Sequence, residues 1–298
     1  MRTYLDCIPC FFKQALEAGK IAGASKVTQK RILDKLAKDF PKFSLSASPP
    51  EIGRDIYAIV RKITKKKDPF AKIKAKSNTL ALNIYKKLKN KVAHSSDRLL
   101  MATELAIAGN IIDYGVKNSL NVDTELARIL AEENRSIKQE SKVTFDYNSF
   151  KRALKKSHTI LYLGDNAGET VFDRVLIEEI KRDDKNNNIT YAVKKSPVIN
   201  DALIKDAIDC GIDKSAKIIS SGSDAPGTVL SLCKKSFLNL FNKADMVISK
   251  GQGNFEALSG SKRPVFFLFM AKCPVVAQHV GCKIGDIILS YHPGKRKI

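Results

Sequence analysis

The chain has 298 residues, 44% of them hydrophobic, which suits one large domain or two ordinary ones and sets disorder aside as the default. Its longest apolar run, Val265–Ala271, is too short to cross a bilayer, and MRTYLDCIPC at the N-terminus has no apolar core of a secretory signal, so a cytoplasmic protein without membrane partners is expected. The formal charge of +21 is uneven: between Arg61 and Lys91 twelve Lys and Arg face a single acid, Asp68.

Up to about residue 150 the apolar spacing is helical. Helices are expected over Phe11–Gly19, Thr28–Phe40, Leu99–Val116, Thr124–Glu133 and Tyr147–Lys156. Ser48 followed by Pro49 and Pro50 reads as an N-cap with proline in the first turn, after which Ile52, Ile56, Ile59, Val60 and Ile63 share a face. Asp68-Pro69 opens a further helix in the same way. Beyond residue 157 the rhythm changes to short apolar runs alternating with amphipathic stretches. Strands are expected at Thr159–Leu163, Ile189–Val193, Lys217–Ile219, Met246–Ser249 and Val265–Phe269, with a sixth at Ile287–Ser290. Helices are expected at Thr170–Lys181, from about Asp201, and through Thr228–Phe241. Continuous apolar strands separated by helices imply a mostly parallel sheet covered on both faces. The fold class is therefore α/β: a Rossmann-like three-layer domain over residues 153–298, preceded by a helical bundle domain over residues 1–152.

In an open parallel sheet, ligands bind at the carboxyl ends of the strands. Gly164-Asp165-Asn166-Ala167-Gly168-Glu169 follows the first strand, Asn200-Asp201 the second, Ser220-Ser221-Gly222-Ser223-Asp224 the third, and Lys250-Gly251-Gln252-Gly253-Asn254 the fourth. Asp165, Asn166 and Asp201 offer two carboxylates and an amide oxygen, hard donors suited to Mg²⁺ or Mn²⁺. The competing reading is that each acid merely caps the helix after it. Lys250 with Gly251, Gly253 and Asn254 forms a glycine-rich turn able to cradle a phosphate, though it is neither a Walker A loop nor a full GxGxxG fingerprint. Asn110 and Asp113, three apart on one helix face, either end that helix or hold substrate across a cleft. Cys7-Ile8-Pro9-Cys10 leaves three roles open: local packing, half of a zinc site with Cys273, His279 or Cys282, or a redox dithiol. The lysine-rich stretch from Arg61 to Lys91 is either a solvated helix face or a surface for nucleic acid, with Phe70 and Tyr85 as its sole aromatic residues.

These motifs together resemble the metal-dependent damage-control phosphatases, once called domain-of-unknown-function family 89, in the archaeal and bacterial branch with an N-terminal CxxC. The resemblance is carried by CIPC at Cys7–Cys10, AGNIID at Ala108–Asp113, GDNAGE at Gly164–Glu169 and IND at Ile199–Asp201, and continues with SGSDAPGT at Ser221–Thr228, KGQGNFE at Lys250–Glu256 and AKCP at Ala271–Pro274. It spans nearly the whole chain; the lysine-rich stretch is the departure. It implies a helical domain packed on a Rossmann-like domain, one catalytic divalent cation (magnesium, manganese, cobalt or nickel) held by Asp165, Asn166 and Asp201, and substrate contacts from Asn110, Asp113 and Lys250. The implied activity is hydrolysis of sugar phosphates or damaged phosphometabolites. Asp165 or Asp201 would also act as base or nucleophile; the DxD signature of aspartyl-phosphate enzymes is absent, which favours direct attack by water. Two other functions compete: an S-adenosylmethionine-dependent carboxyl methyltransferase, and a nucleic-acid-binding protein working through the basic stretch.

Overall fold

Successive strand residues point to opposite faces, so a run in which every residue is apolar buries both. The first strand behaves this way: Ile160 and Tyr162 enter one core, Leu161 and Leu163 another. The structure, a computed structural model, describes residues 1–109 and 144–294. Its single six-stranded sheet comprises β1 (Thr159–Leu163), β2 (Asn188–Val193), β3 (Lys217–Ser220), β4 (Met246–Lys250), β5 (Val265–Met270) and β6 (Ile287–His292). The order across the sheet is β3-β2-β1-β4-β5-β6, parallel except for β6, which runs antiparallel to β5. Strand order therefore reverses between β1 and β4. This is the switch point where the ends of two neighbouring strands splay and leave a crevice.

The described helices are α1 (Cys7–Ile21), α2 (Lys26–Asp39), α3 (Pro49–Thr64), α4 (Ala71–Ala93), α5 (Arg98–Ala108), α6 (Tyr147–Lys156), α7 (Glu169–Asp183), α8 (Ile204–Asp209), α9 (Lys235–Lys243), α10 (Gln252–Leu258) and α11 (Pro274–Val280). One face of the sheet is covered by α4, α5, α6 and α7, whose Leu88, Leu105, Phe150 and Leu176 share a core with Ile160, Tyr162, Ile248 and Leu268. The other is covered by α9, α10 and α11, with Phe237, Phe241, Phe255, Phe267 and Phe269 in one cluster. Each such buried side chain contributes roughly 1.5–3 kcal/mol. The helices on the first face thus come from both sides of the expected boundary at residue 152, while α1, α2 and α3 form a core of their own around Ile32, Leu36 and Ile56.

Local chemistry explains the element ends. Ser48 and Glu51 form the reciprocal capping box at the start of α3, with Pro49 and Pro50 in its first turn. Among the described residues two expected helices differ. The segment through Thr228–Phe241 is broken by Cys233 and Lys234 in extended conformation and becomes a helix at Lys235. The helix placed at about Asp201 starts at Ile204, because Asp201 is occupied by a bridge to Asn166. The expected helix at Thr124–Glu133, and Leu99–Val116 beyond Gly109, lie outside the described residues.

Three contacts seat the α1–α3 bundle over the carboxyl edge of the sheet. Arg54 pairs with Asp224 in the loop after β3, Arg61 Nη1 donates to Pro197 O at 3.2 Å in the loop after β2, and Met1 N donates to Glu256 O of α10 at 2.7 Å. Among the described residues no helix is long and apolar enough to cross a membrane.

Candidate active site

The loops after β1 and β2 are stitched together by main-chain hydrogen bonds. Ala202 N donates to Asp165 O (2.8 Å), Ala167 N to Asn200 O (2.9 Å), and Asn166 and Asp201 form an antiparallel bridge. Two residues separated by a whole βαβ unit are thereby locked side by side. Ile199, beside them, holds φ +38°, a costly conformation for a β-branched residue and one that persists only where its surroundings enforce it. Asp201 is 1% exposed and Asp165 8%. Neither caps a helix: α7 begins at Glu169 behind a Gly168 cap, and Leu203 precedes α8.

Burial, first, and then the negative charges of Asp201 and Glu169 push the Asp165 carboxyl well above the usual carboxylate range. Asn166 Nδ2 donates to Glu169 Oε1 (2.8 Å) and Asp165 Oδ2 (3.3 Å), which leaves Oδ1 as its remaining oxygen for a ligand. Behind this group lies a second layer. Lys250 Nζ binds Asp173 Oδ1 at 2.7 Å and stands 3.5 Å from Glu169 Oε2. Tyr162 and Tyr191 each donate a hydroxyl to Asp173 at 2.8 Å. Lys194 Nζ lies 3.5 Å from Asp201 Oδ2. Four carboxylates (Asp165, Glu169, Asp173 and Asp201) and two ammonium groups (Lys194 and Lys250) are thus buried together.

The all-oxygen donors fit one hard divalent cation, for which Asp165, Asn166 and Asp201 would be the protein ligands. Among the described residues no three His, Cys, Asp or Glu side chains form a metal cage. Magnesium needs none, since it is usually held by one or two carboxylates with water and phosphate oxygens completing the shell.

Asp165 and Asn166 line the floor of a cleft of about 320 Å³ between the bundle and the sheet edge. Its bundle wall carries Gln14, Glu17 and Tyr57, and its opposite wall Gln252, Gly253, Glu256 and Lys272. That volume is at the small end of the range of ligand pockets. Tyr57 donates to Gln14 Oε1 at 2.9 Å, fixing the bundle side.

Comparison with known proteins settles the relationship. The damage-control phosphatase ARMT1-like domain matches residues 3–288. The chain belongs to this family. An uncharacterized protein of Methanocaldococcus jannaschii is 34% identical over 295 residues, covering 95% of this chain and 93% of its own. A damage-control phosphatase of Pyrococcus horikoshii is 33% identical over 97% of both chains, and one of Archaeoglobus fulgidus 34% identical over 85% of both. The crystal structure of a DUF89 family protein from Pyrococcus horikoshii superposes with a TM-score of 0.85 at 32% identity, covering 98% of this chain and 99% of that one.

The loops after β1 and β2 bring Asp165, Asn166 and Asp201 together; Asp165 and Asn166 line the cleft, and Asp201 is buried beside them. Lys250, Gly251 and Asn254 stand behind the cleft wall, not on it. Lys250 is engaged with Asp173, because a buried ammonium needs a buried counter-charge. Asn254 spends its amide on Gly164 O and Lys250 O and its oxygen on Thr228 N, Thr228 Oγ1 and Lys194 Nζ. It is a knot joining β1, β4 and two loops. Gly251, at φ +81° and ψ 155°, makes room for Asp165: a Cβ there would lie 2.8 Å from Asp165 Cβ and nearer still to the carboxylate. Gln252 and Gly253 of the turn line the cleft, and among the described residues the lining cation is Lys272.

Sequence reasoning missed Glu169, Asp173, Lys194, Glu256 and Lys272. Glu169 and Asp173 were findable, being four apart on the face of α7 that looks to the sheet. Asn110 and Asp113 lie outside the described residues. All six cysteines are free, and no zinc cluster joins the Cys7–Cys10 pair among the described residues. Burial pushes the Cys7 and Cys273 thiols up, the opposite of a reactive dithiol. The basic stretch is also not uniform. Lys74 is buried against Asp68 (2.9 Å) and Lys89 pairs with Glu178 (2.7 Å), while Arg61, Lys62, Lys65, Lys66 and Lys67 gather beside Ser196 and Pro197.

Proposed function

We propose that this protein is a metal-dependent phosphatase that hydrolyses phosphate monoesters of small metabolites, sugar phosphates or damaged phosphometabolites among them. The observation that carries the reading is the oxygen-donor group Asp165, Asn166 and Asp201, locked together by main-chain bonds at the carboxyl ends of β1 and β2, with Asp165 and Asn166 on the floor of a metabolite-sized cleft. The names of the Pyrococcus and Archaeoglobus relatives support the reaction class. A divalent cation held by Asp165, Asn166 and Asp201, magnesium or manganese by donor type and cobalt or nickel by family resemblance, would supply Lewis-acid polarisation of the phosphoryl group. Lys272 offers the cleft a positive charge for the remaining phosphoryl oxygens. Whichever of Asp165 and Asp201 is the more basic when substrate is bound takes the proton of the attacking water. Lys250 acts one step back as the buried counter-charge beside Glu169 and Asp173, which keeps Asn166 and Asp165 in their orientation.

The methyltransferase reading is less well supported, since the first βα turn presents Asp165 and Asn166 where an adenosine-binding fold carries a glycine-rich loop. A panel of phosphomonoesters assayed with EDTA and with added Mg²⁺, Mn²⁺, Co²⁺ or Ni²⁺ tests the proposal. Turnover should vanish in EDTA and return with metal; turnover indifferent to EDTA would remove the metal from the account.

A further inference from the structure

Hydrolysing an alkyl phosphate poses a second difficulty besides polarising phosphorus. The departing alkoxide is a strong base and leaves slowly unless it is protonated as the bond breaks. Glu256 is placed to supply that proton. It lies on the cleft wall formed by α10, together with Gln252, Gly253 and Lys272. The residue before α10, Gly251, packs directly on Asp165. Glu256 is five residues further along, about 7.5 Å at the helical rise. Glu256 lines the same cleft as Asp165 and Asn166.

The carboxyl is also held in one orientation. Gln252 Nε2 donates to Glu256 Oε1 at 2.9 Å, while Gln252 Oε1 accepts from Lys272 N at 2.8 Å. Oε1 is therefore the acceptor and Oε2 the oxygen left to carry a proton. The charged and titratable groups around it are the Met1 ammonium, Lys272, Cys7 of α1 and Cys273 before α11. Both cations and the Gln252 bond favour the carboxylate, yet burial outweighs them and pushes the carboxyl up to about 7.

We propose that Glu256 is the general acid of the reaction and protonates the departing ester oxygen, an inference that rests on the phosphatase reading above. Water oxygen forms the new P–O bond as the P–O(ester) bond breaks. The bonding pair passes to the ester oxygen, which takes the Glu256 proton and leaves as a neutral alcohol. The proton lost by water goes to an active-site carboxylate and then to solvent, and the Glu256 carboxylate regains its proton from solvent before the next turnover. The device matters for esters of poorly acidic alcohols, as in sugar and polyol phosphates, and is nearly superfluous for aryl esters. It assigns the site to alkyl phosphates.

The test is the leaving-group dependence of Glu256→Gln, assayed on glycerol 2-phosphate and p-nitrophenyl phosphate with Mn²⁺ present. General acid catalysis is worth about 10²–10⁴-fold, so kcat on glycerol 2-phosphate should fall by at least ~10², and the loss on the aryl ester should be at least about tenfold smaller. The parent rate on the alkyl ester should decline as pH rises through about 7, and that decline should flatten in the variant. Equal losses on both esters, or none on either, would overturn the assignment. A parent enzyme that hydrolyses neither ester would overturn the phosphatase reading and this inference with it. Should the Gln variant not fold, Glu256→Asp keeps the acid one methylene back and should show the same bias at smaller amplitude; no bias again overturns the proposal. Infrared titration of the metal-free protein gives a readout independent of turnover. A protonated-carboxyl band lost in the Gln variant should persist to about pH 7, and titration near the free-Glu value of about 4.3 would overturn it.

Discussion

Gly251→Ala separates a glycine that cradles phosphate from one that makes room for a metal ligand. Its φ of +81° and ψ of 155° fall in a region essentially confined to glycine, so alanine costs about 1–3 kcal/mol before any contact is considered. The new Cβ would stand 2.8 Å from Asp165 Cβ, about 1 Å inside the usual carbon–carbon separation, and closer to the carboxylate. Asp165 must swing away, and Asn166 Nδ2 loses its 3.3 Å partner. Displacing a supporting contact of this kind typically weakens metal affinity 10–100-fold. Gly281→Ala is the control: φ is +79°, and nothing lies within 4 Å of its Cβ position. It should lower stability by about 1–2 kcal/mol, the ordinary left-handed penalty, and leave metal binding alone. Calorimetric titration with Mn²⁺ and urea unfolding on both variants provide the comparison. If Gly251→Ala binds Mn²⁺ as tightly as the parent, its glycine does not protect Asp165 and the packing argument fails.

Other expectations follow from the same network. Asp165→Asn or Asp201→Asn should cost at least about 10² in turnover. Asp165→Asn should also not destabilise the metal-free protein at pH 8. The folded Asp165 carboxyl titrates above its unfolded value, so its ionised form lowers stability and the penalty is relieved as pH falls through the folded pKa; a clear fall in melting temperature at pH 8 would contradict this. By the same sign, Mn²⁺ affinity should weaken as pH drops, because protons compete for Asp165; pH-independent affinity would count against it. Lys250→Met leaves Asp173 and Glu169 without their buried cation and should cost about 3–5 kcal/mol in urea unfolding. Charge reversal of Lys65, Lys66 and Lys67 should leave turnover within about twofold at physiological salt, since screening limits exposed charges to about 8 Å. A nucleic-acid role would instead appear as binding that collapses with salt and with this triple change.

The sheet was legible because both faces are buried: after the exposed Thr159, ILYL is buried throughout, and VFFLFM is apolar throughout. The convergence of Asp165, Asn166 and Asp201 was legible because groups at neighbouring strand ends share that edge of the sheet. What sequence could not show is which side of a wall a residue occupies. Lys250 and Lys272 both follow strands, yet the first turns inward to Asp173 while the second lines the cleft. Asn254 looked like a ligand contact and is a structural knot, because its partners, Gly164 O and Thr228, are 90 and 26 residues away. In the sequence Glu256 is only the end of KGQGNFE; the role proposed for it depends on α10 lining the cleft opposite the bundle, a tertiary fact.

The central claim is most directly tested by diffraction from a crystal soaked in Mn²⁺, collected at the manganese absorption edge. The account predicts one anomalous peak coordinated by Asp165, Asn166 and Asp201 at the cleft floor, lost in Asp201→Asn. A peak elsewhere, or none beside Asp165 and Asp201, would contradict it.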